Sequence, residues 1–435
     1  MNSLRIERRI KSDFAQVLSG NMLYYACQWS IVVALAKLGT PAQLGEYALG
    51  MAIAAPILLF ANLQVRVLIA SDVKNEFTFD QFFTFRVASL LLASLAIAGV
   101  AMLSRTSGQA YLVVMAVGLA QAIDCFADTY YGWMQKHERL DRMARSLAMK
   151  GPLALGLLIL TMLVTHSVLW AVLGLAVGRL AILFAWDRRL GFTRMSSAVR
   201  FEWSFLRLRS RRDPLAVLLR LAVPLGVISM LGSLSANIPR YFVEAHLGTA
   251  ELGIFSAIAS LLSAGTLVVS ALGQSAFVPV ARAHARADRP AFRTYFALAT
   301  GAGLVLGCAG IAIAALFGRP ILAHLFRPEY AARQDVLVRL MIAGTIIFAG
   351  NGAGAVITAA RRLDPQVPVL ALGAVACMAV SAWLIPRIGL DGAADAILAA
   401  AIVQLAGTAV IAWKIDRRLG APLPAASELA EIEAV

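Results

Sequence analysis

The sequence contains little charge and none of the motifs that mark an enzyme. Only 15% of its 435 residues are charged, whereas soluble domains average about 25%. The four cysteines follow no disulfide or zinc spacing, the five histidines are scattered, and no phosphate-binding Gly-x-x-x-x-Gly-Lys-Ser/Thr segment is present. These absences argue against a soluble enzyme, so we predict no catalytic residue, no metal ligand and no cofactor. A net charge of +14 would suit nucleic acid, but the polar surface is too small for a soluble binding module.

Apolar residues dominate instead. They make up 60% of the chain, and the mean hydropathy is +0.76. A membrane helix needs roughly 20 apolar residues, and continuous apolar runs without alternation favour helices over a barrel. We therefore predict an all-α polytopic membrane protein with about 12 transmembrane helices. The predicted spans are 14–36, 46–70, 82–103, 110–134, 144–165, 167–186, 215–239, 252–279, 295–317, 336–359, 367–385 and 392–413.

The distribution of basic residues predicts the orientation. Segments on one side of the predicted spans carry 27 Lys and Arg residues, and segments on the other side carry 7. Cytoplasmic loops are enriched in these residues, so both termini are expected in the cytoplasm. In this count Lys74, the segment 136–150 and Arg361 with Arg362 are cytoplasmic, and Arg240 is external. Eight basic residues lie in the linker between the sixth and seventh spans.

A repeat divides the chain into two halves of equal orientation. Leu38-Gly-Thr40 with Leu44-Gly45 recurs as Leu247-Gly-Thr249 with Leu252-Gly253. Six spans separate the copies, which predicts two parallel six-helix bundles, as in secondary transporters. The predicted parts are an N-terminal tail (1–13), an N-terminal bundle (14–186), a basic cytoplasmic linker (187–214), a C-terminal bundle (215–413) and a cytoplasmic tail (414–435). Prolines at 56 and 279 fall in corresponding spans and predict paired kinks.

Charged residues inside the spans are the candidate site residues, because burying a charge in lipid costs roughly 2.5–3.5 kcal/mol on insertion scales. One interpretation is that the arginines reach the inner headgroups. The other is a cationic cavity for an anionic substrate, since a guanidinium binds phosphate in a bidentate manner. The four arginines predicted in the cytoplasmic half, and hence the substrate-binding candidates, are Arg66, Arg86, Arg179 and Arg220.

Asp124 and Asp128 lie one helical turn apart near the middle of the fourth span. Two interpretations stay open for these carboxylates. Each pairs with an intramembrane arginine, or one of them serves as a proton or Na⁺ coupling site. Both residues are therefore ion-coupling candidates.

Several short segments resemble one family of transporters. The sequence is similar to the polysaccharide flippases of the multidrug/oligosaccharidyl-lipid/polysaccharide (MOP) exporter superfamily, which handle O-antigen, capsule or exopolysaccharide precursors. The segments that carry the resemblance are Leu44-Gly-Glu-Tyr47, Tyr131-Gly-Trp-Met-Gln135, Glu138-Arg-Leu-Asp141, Ile238-Pro-Arg-Tyr-Phe242 and Phe326-Arg-Pro-Glu-Tyr-Ala331. The resemblance implies a MATE-like fold, alternating access and a polyprenyl-pyrophosphate-linked oligosaccharide as cargo, but it assigns no role to an individual residue.

The leading expectation is a non-enzymatic flippase of the bacterial plasma (inner) membrane that acts in O-antigen (lipopolysaccharide), capsule or exopolysaccharide synthesis. Expected partners are the lipid-linked saccharide, membrane lipids and proteins of polysaccharide polymerisation and assembly. Two alternatives stay open: a cation-coupled multidrug exporter, and a scaffold of a polysaccharide assembly complex that transports nothing.

Overall fold

The fold is built entirely from helices in the part of the chain that this computed structural model describes, residues 2–72, 75–104, 108–188, 214–286, 288–359 and 365–419. The helices are α1 (Asn2–Leu38), α2 (Pro41–Asn62), α3 (Val65–Ser71), α4 (Phe79–Leu103), α5 (Gly108–Lys136), α6 (Leu140–Thr165), α7 (Val168–Ile182), α8 (Pro214–Leu247), α9 (Thr249–Ala285), α10 (Arg289–Leu325), α11 (Pro328–Ala331), α12 (Gln334–Ala359), α13 (Gln366–Ile388) and α14 (Leu390–Leu419). A single π-helical turn, Leu183–Asp187, extends α7.

Eleven stretches of the described residues are long and apolar enough to cross a membrane. The helix α1 is not among them, but it packs along α6 and completes a bundle of about twelve membrane helices. This confirms the predicted fold class. The linker 189–213, Lys74, Arg361 with Arg362 and the C-terminal segment 420–435 lie outside the described residues.

Side-chain caps fix where helices begin. Thr40 accepts a hydrogen bond from the Gln43 backbone, and the Gln43 side chain accepts one from the Thr40 backbone, at 3.2 and 3.0 Å. This reciprocal pair satisfies amides that the first helical turn leaves unbonded, and Pro41 occupies the first position of α2. Thr78 and Gln81 form the same arrangement at the start of α4.

The two halves meet mainly where α2 packs against α8 and α9. At the predicted outer end, Gly45 of α2 and Gly253 of α9 lie against each other's helix. A Cβ atom at Gly45 would overlap the Thr249 carbonyl oxygen, and one at Gly253 would overlap the Pro41 carbonyl oxygen. The repeated Leu-Gly pairs therefore form the closest crossing between the halves. Arg327, after α10, donates to the Lys37 carbonyl at 2.9 Å and joins the halves at the same end.

The second membrane span is broken near its predicted cytoplasmic end. Leu63 and Gln64 both adopt the left-handed conformation, with φ of 48° and 50°, and separate α2 from α3. Leu63 and Val65 then pack with Leu215 and Leu218 of α8 in a small apolar core. The inner ends of the two halves are thereby joined along α2, α3 and α8.

Several boundaries differ from the sequence-based predictions. Pro56 lies inside α2, and the helix is interrupted further along the chain, at Leu63 and Gln64. The helix α1 begins at Asn2, within the predicted tail, and α14 continues to Leu419, beyond residue 413. Asp187, assigned to the linker, is fully buried at the end of the sixth span. The side chain of Pro279, the other predicted kink position, lies outside what the structure describes.

Candidate functional site

A half-buried carboxylate with two buried cations lies between α5, α6 and α7 in the N-terminal half. The Asp124 carboxylate is 2.8 Å from the Lys150 ammonium and 2.8 Å from the Arg179 guanidinium. Tyr24 of α1 donates a third contact to it, also at 2.8 Å. Lys150 and Arg179 are only 2% and 1% exposed. We call these four residues the Asp124 cluster. Asp124 is 12 residues from the end of α5, or about 18 Å of helix.

The Arg179 guanidinium has protein partners on both of its terminal nitrogens. One nitrogen donates to the Ala120 carbonyl at 2.8 Å and to the Gln121 side chain at 2.6 Å. The other donates to Gln28 of α1 at 3.1 Å. The Asp124 cluster therefore joins four helices through charged hydrogen bonds. Removing one member of such a buried group typically costs about 3–5 kcal/mol, because it leaves the others without a counter-charge.

A second charged group surrounds Asp128, one turn further along α5. Asn62 of α2 donates to the Asp128 carboxylate at 3.3 Å, and its own carbonyl accepts from Arg86 at 2.8 Å. Arg86 is completely buried and also donates to Thr129 at 3.1 Å. We call Asp128, Asn62, Arg86 and Arg66 the Asp128 cluster.

Arg66 is the accessible cation of the Asp128 cluster. Its guanidinium is 3.9 Å from the Asp128 carboxylate, and these two side chains are 33% and 28% exposed. It also donates to Gln135 at 3.4 Å and lies 5.9 Å from the centre of the Tyr131 ring. Arg66 is thus held by several weak contacts, whereas Arg86 is fully buried and held by hydrogen bonds to Asn62 and Thr129.

The two clusters together carry an excess of positive charge. Four cationic side chains share two carboxylates, Asp124 and Asp128, which leaves a formal charge of +2. Counting the buried Asp187 carboxylate, which faces Lys150, as a third negative charge still leaves +1. The charges lie in a region of low effective dielectric, where their field is stronger than at a solvated surface. The arrangement therefore favours an anionic ligand over a cationic one.

The structure brings five of the six predicted site residues into these two clusters. Arg220 is the exception: it is exposed on α8 and belongs to neither cluster. Sequence reasoning missed Lys150, which had been assigned to a cytoplasmic segment but lies buried in α6. Its position inside an apolar run, two residues before Pro152, was the available signal. Arg240, assigned to the outside, lies within α8 and donates to Asn237 at 2.5 Å.

A five-residue sequence is repeated at the end of each half, but the first residue of each copy lies in different surroundings. Asp187-Arg-Arg-Leu-Gly191 follows α7, and Asp416-Arg-Arg-Leu-Gly420 occurs at the end of α14. The Asp416 carboxylate is bonded by Arg289 and Arg293 of α10, each at 2.8 Å. Asp187 is buried beside Ser146 and Tyr131, which share a 2.8 Å hydrogen bond.

Outside the membrane spans, Asp72 fastens the start of the loop that follows α3. Burial raises the pKa of its carboxyl, but the Glu76 and Phe77 amides and the Lys136 ammonium, 3.0 Å away, lower that pKa below its usual value overall. The Lys136–Asp72 pair ties the end of α5 to the end of α3.

Comparison with known proteins gives one related sequence and several related folds. No family model matches the chain. The chain is 25% identical over 403 residues to the capsular polysaccharide biosynthesis protein CapF of Staphylococcus aureus, covering 90% of this chain and 96% of CapF. The CapF likeness therefore extends over both halves.

Solved structures of MOP transporters share the fold at low sequence identity. A multidrug resistance MATE family transporter in an inward-facing conformation has a TM-score of 0.73 at 13% identity, with 94% of this chain and 99% of that chain covered. The lipid II flippase MurJ, in an inward closed conformation, has a TM-score of 0.72 at 10% identity, with 93% and 90% covered.

These likenesses confirm the fold and the family resemblance that the sequence predicts. The chain is a multi-pass membrane protein with the MOP transporter fold, and its sequence is similar to a protein of capsular polysaccharide synthesis. The solved neighbours are transporters and flippases, not enzymes.

Proposed function

We propose that the protein is a flippase that moves a polyprenyl-pyrophosphate-linked oligosaccharide from the inner to the outer leaflet of a bacterial plasma membrane. The transported saccharide would serve the synthesis of a cell-surface polysaccharide such as capsule, O-antigen or exopolysaccharide. Transport proceeds by alternating access between the two halves, with both termini in the cytoplasm. Proteins of polysaccharide polymerisation and assembly are the proposed partners on the outer side.

The charge of the N-terminal half is the observation that carries this proposal. A pyrophosphate needs positive charge along its path, and the Asp124 and Asp128 clusters supply a net positive charge inside the membrane region, even with the buried Asp187 counted. A drug exporter for cationic compounds would need the opposite sign. The MATE likeness in fold alone does not favour drugs, because MurJ, a lipid II flippase, shares that fold equally well.

The four arginines divide between two proposed roles. Arg66 is half-buried and Arg220 is exposed, and both are proposed to contact the pyrophosphate directly. Arg86 and Arg179 have protein partners and are buried, so they are proposed to set the field and the shape of the site. A planar guanidinium that is only loosely held, as in Arg66, can turn to bind a phosphate in a bidentate manner.

Deleting the protein from its source cells tests the proposed function. A flippase predicts that lipid-linked saccharide accumulates on the inner leaflet and that surface polysaccharide is lost. Re-expression of the intact chain should reverse both effects. If surface polysaccharide is unchanged and no lipid-linked saccharide accumulates, the proposal is wrong. A drug exporter would instead produce sensitivity to cationic compounds with normal surface polysaccharide.

A further inference from the structure

The C-terminal half contains a neutral polar cavity between α12, α13 and α14. Its volume is about 230 Å³. Four polar side chains line it, together with apolar residues and two glycines. These polar residues are Asn351, Gln366, Gln404 and Thr408. Among them Asn351 is exposed and the other three are half-buried.

Sequence repeats show that this cavity is the counterpart of the charged clusters in the N-terminal half. Asp128 lies ten residues before Glu138-Arg-Leu-Asp141, and Asn351 lies ten residues before Arg361-Arg-Leu-Asp364. Arg179 lies eight residues before the first Asp-Arg-Arg-Leu-Gly segment, and Thr408 lies eight before the second.

The packing of glycines places the two sites alike in space. Gly178, next to Arg179, packs against Ala154 of α6, and Gly407, next to Thr408, packs against Val369 of α13. In each half, the last two membrane helices are therefore in contact at the glycine that precedes the matched residue, Arg179 or Thr408. A carboxylate (Asp128) and a guanidinium (Arg179) in the first half correspond to an amide (Asn351) and a hydroxyl (Thr408) in the second.

The cavity has space because its helices carry glycines where they face it. A Cβ atom at Gly350 or at Gly354 would meet no atom within 4 Å. The volume exceeds the roughly 30 Å³ of one water several times but stays below the roughly 300–1,000 Å³ of drug-sized sites. The space therefore suits one small ring.

The polar groups of the cavity offer both donors and acceptors and no charge. An amide side chain donates through its nitrogen and accepts through its oxygen, which matches the hydroxyl groups of a sugar. The Gln404 and Asn351 side chains form no hydrogen bond to the residues that the structure describes. Thr408 donates to the Gln404 carbonyl at 2.7 Å and keeps its acceptor sites.

We propose that this cavity is a saccharide subsite that binds one sugar ring of the cargo through Asn351, Gln404 and Thr408. The inference rests on the proposed function and deepens it. The first half holds the pyrophosphate by charge, and the second half holds the sugar by neutral hydrogen bonds. The repeat has thus diverged into two sites of different chemistry for the two parts of one ligand.

Binding of two lipids by cavity variants tests this subsite. The purified chain is titrated with lipid-linked saccharide extracted from the source cells and with polyprenyl pyrophosphate that carries no sugar. Gly354→Leu fills the cavity, and Gln404→Leu removes an amide at similar volume. The matched control is Gly156→Leu, since Gly156 of α6 also has no atom within 4 Å of an added Cβ.

We expect both cavity variants to bind the saccharide lipid at least about tenfold more weakly, which is the effect of one or two lost hydrogen bonds. Binding of the sugar-free lipid and the behaviour of Gly156→Leu should stay as in the wild type. If the wild type prefers the saccharide lipid and both variants keep that preference, the subsite is wrong while the flippase function stands. If the wild type binds neither lipid, the proposed function itself fails.

Discussion

At the scale of single residues, Asp124 and Asp128 differ in how strongly the protein holds them. Asp124 faces two buried cations at 2.8 Å and a tyrosine, and its side chain is 18% exposed. Asp128 faces Arg66 at 3.9 Å and is 28% exposed. By this geometry the first carboxylate is a structural anchor, whereas the second has one loose ion-pair partner and is partly accessible. Of the two coupling candidates, we therefore favour Asp128.

Asparagine substitutions separate the two roles. Asp124→Asn leaves Lys150 and Arg179 without a counter-charge and should cost about 3–5 kcal/mol of stability, seen as a lower melting temperature and folded yield in detergent. Asp128→Asn should cost only about 0–1 kcal/mol and fold normally. If Asp128 couples transport to an ion gradient, its variant should bind cargo but lose the response to an imposed pH gradient.

Two results would contradict this division. Equal melting temperatures for Asp124→Asn and the wild type would show that the Asp124 cluster does not stabilise the fold. A full gradient response in a well-folded Asp128→Asn protein would exclude Asp128 as the coupling site.

Much of this site was predictable from residue type and position, but its pairing was not. Helical periodicity places Asp124 and Asp128 on one face, and their depth calls for cationic partners. Which cations reach them depends on helix packing. Lys150 contacts Asp124 from α6, and the basic residues in the first turns of that helix predict a cytoplasmic loop instead. Arg220 lies on α8, away from both clusters.

At the scale of helices, the crossing of α2 and α9 depends on the repeated glycines. Gly45→Ala or Gly253→Ala would place a methyl group on a backbone carbonyl of the opposite helix. Such overpacking typically costs about 1–3 kcal/mol, and it acts only while the outer ends are in contact. We expect these variants to shift the protein toward arrangements in which the outer ends are apart and to slow transport.

Distances between spin labels measure this shift. In a background without the native cysteines, labels at Gly108 and Ala332 report the separation of the two halves at their predicted outer ends. The mean distance should increase in the glycine variants but not in Gly99→Ala, a control where an added Cβ meets no atom within 4 Å. Unchanged distances in Gly45→Ala and Gly253→Ala would contradict a tight outer crossing.

Helix positions followed from hydropathy, whereas the break in the second span did not. Pro56 lacks an amide, yet α2 continues through it as a helix. The break uses Leu63 and Gln64, two residues that rarely adopt positive φ. Contacts with α8, such as the 3.0 Å hydrogen bond from Gln64 to Ser229, accompany this conformation. Tertiary contacts of this kind leave no local signal in the sequence.

At the scale of the whole molecule, the charge distribution predicts one orientation in the membrane. Of the 34 basic residues that the sequence analysis assigns to one side or the other, 27 fall on the cytoplasmic side. Removing Lys150, which is buried in α6, and Arg240, which lies within α8, leaves 26 of 32. Cysteines introduced at Ser197 and Arg286 should therefore resist a membrane-impermeant maleimide in intact cells, while one at Thr106 should react. Labelling of Ser197→Cys from outside would reverse the orientation and the proposed direction of transport.

The central claim is that this chain by itself carries a lipid-linked saccharide across a bilayer. The most direct measurement reconstitutes the purified protein in vesicles that contain a fluorescent lipid-linked saccharide and follows its arrival in the opposite leaflet. The account predicts transfer faster than in protein-free vesicles, saturation by unlabelled lipid, and a loss of transfer in Arg66→Gln at equal folded yield. Folded wild-type protein that transfers no more lipid than empty vesicles would contradict it.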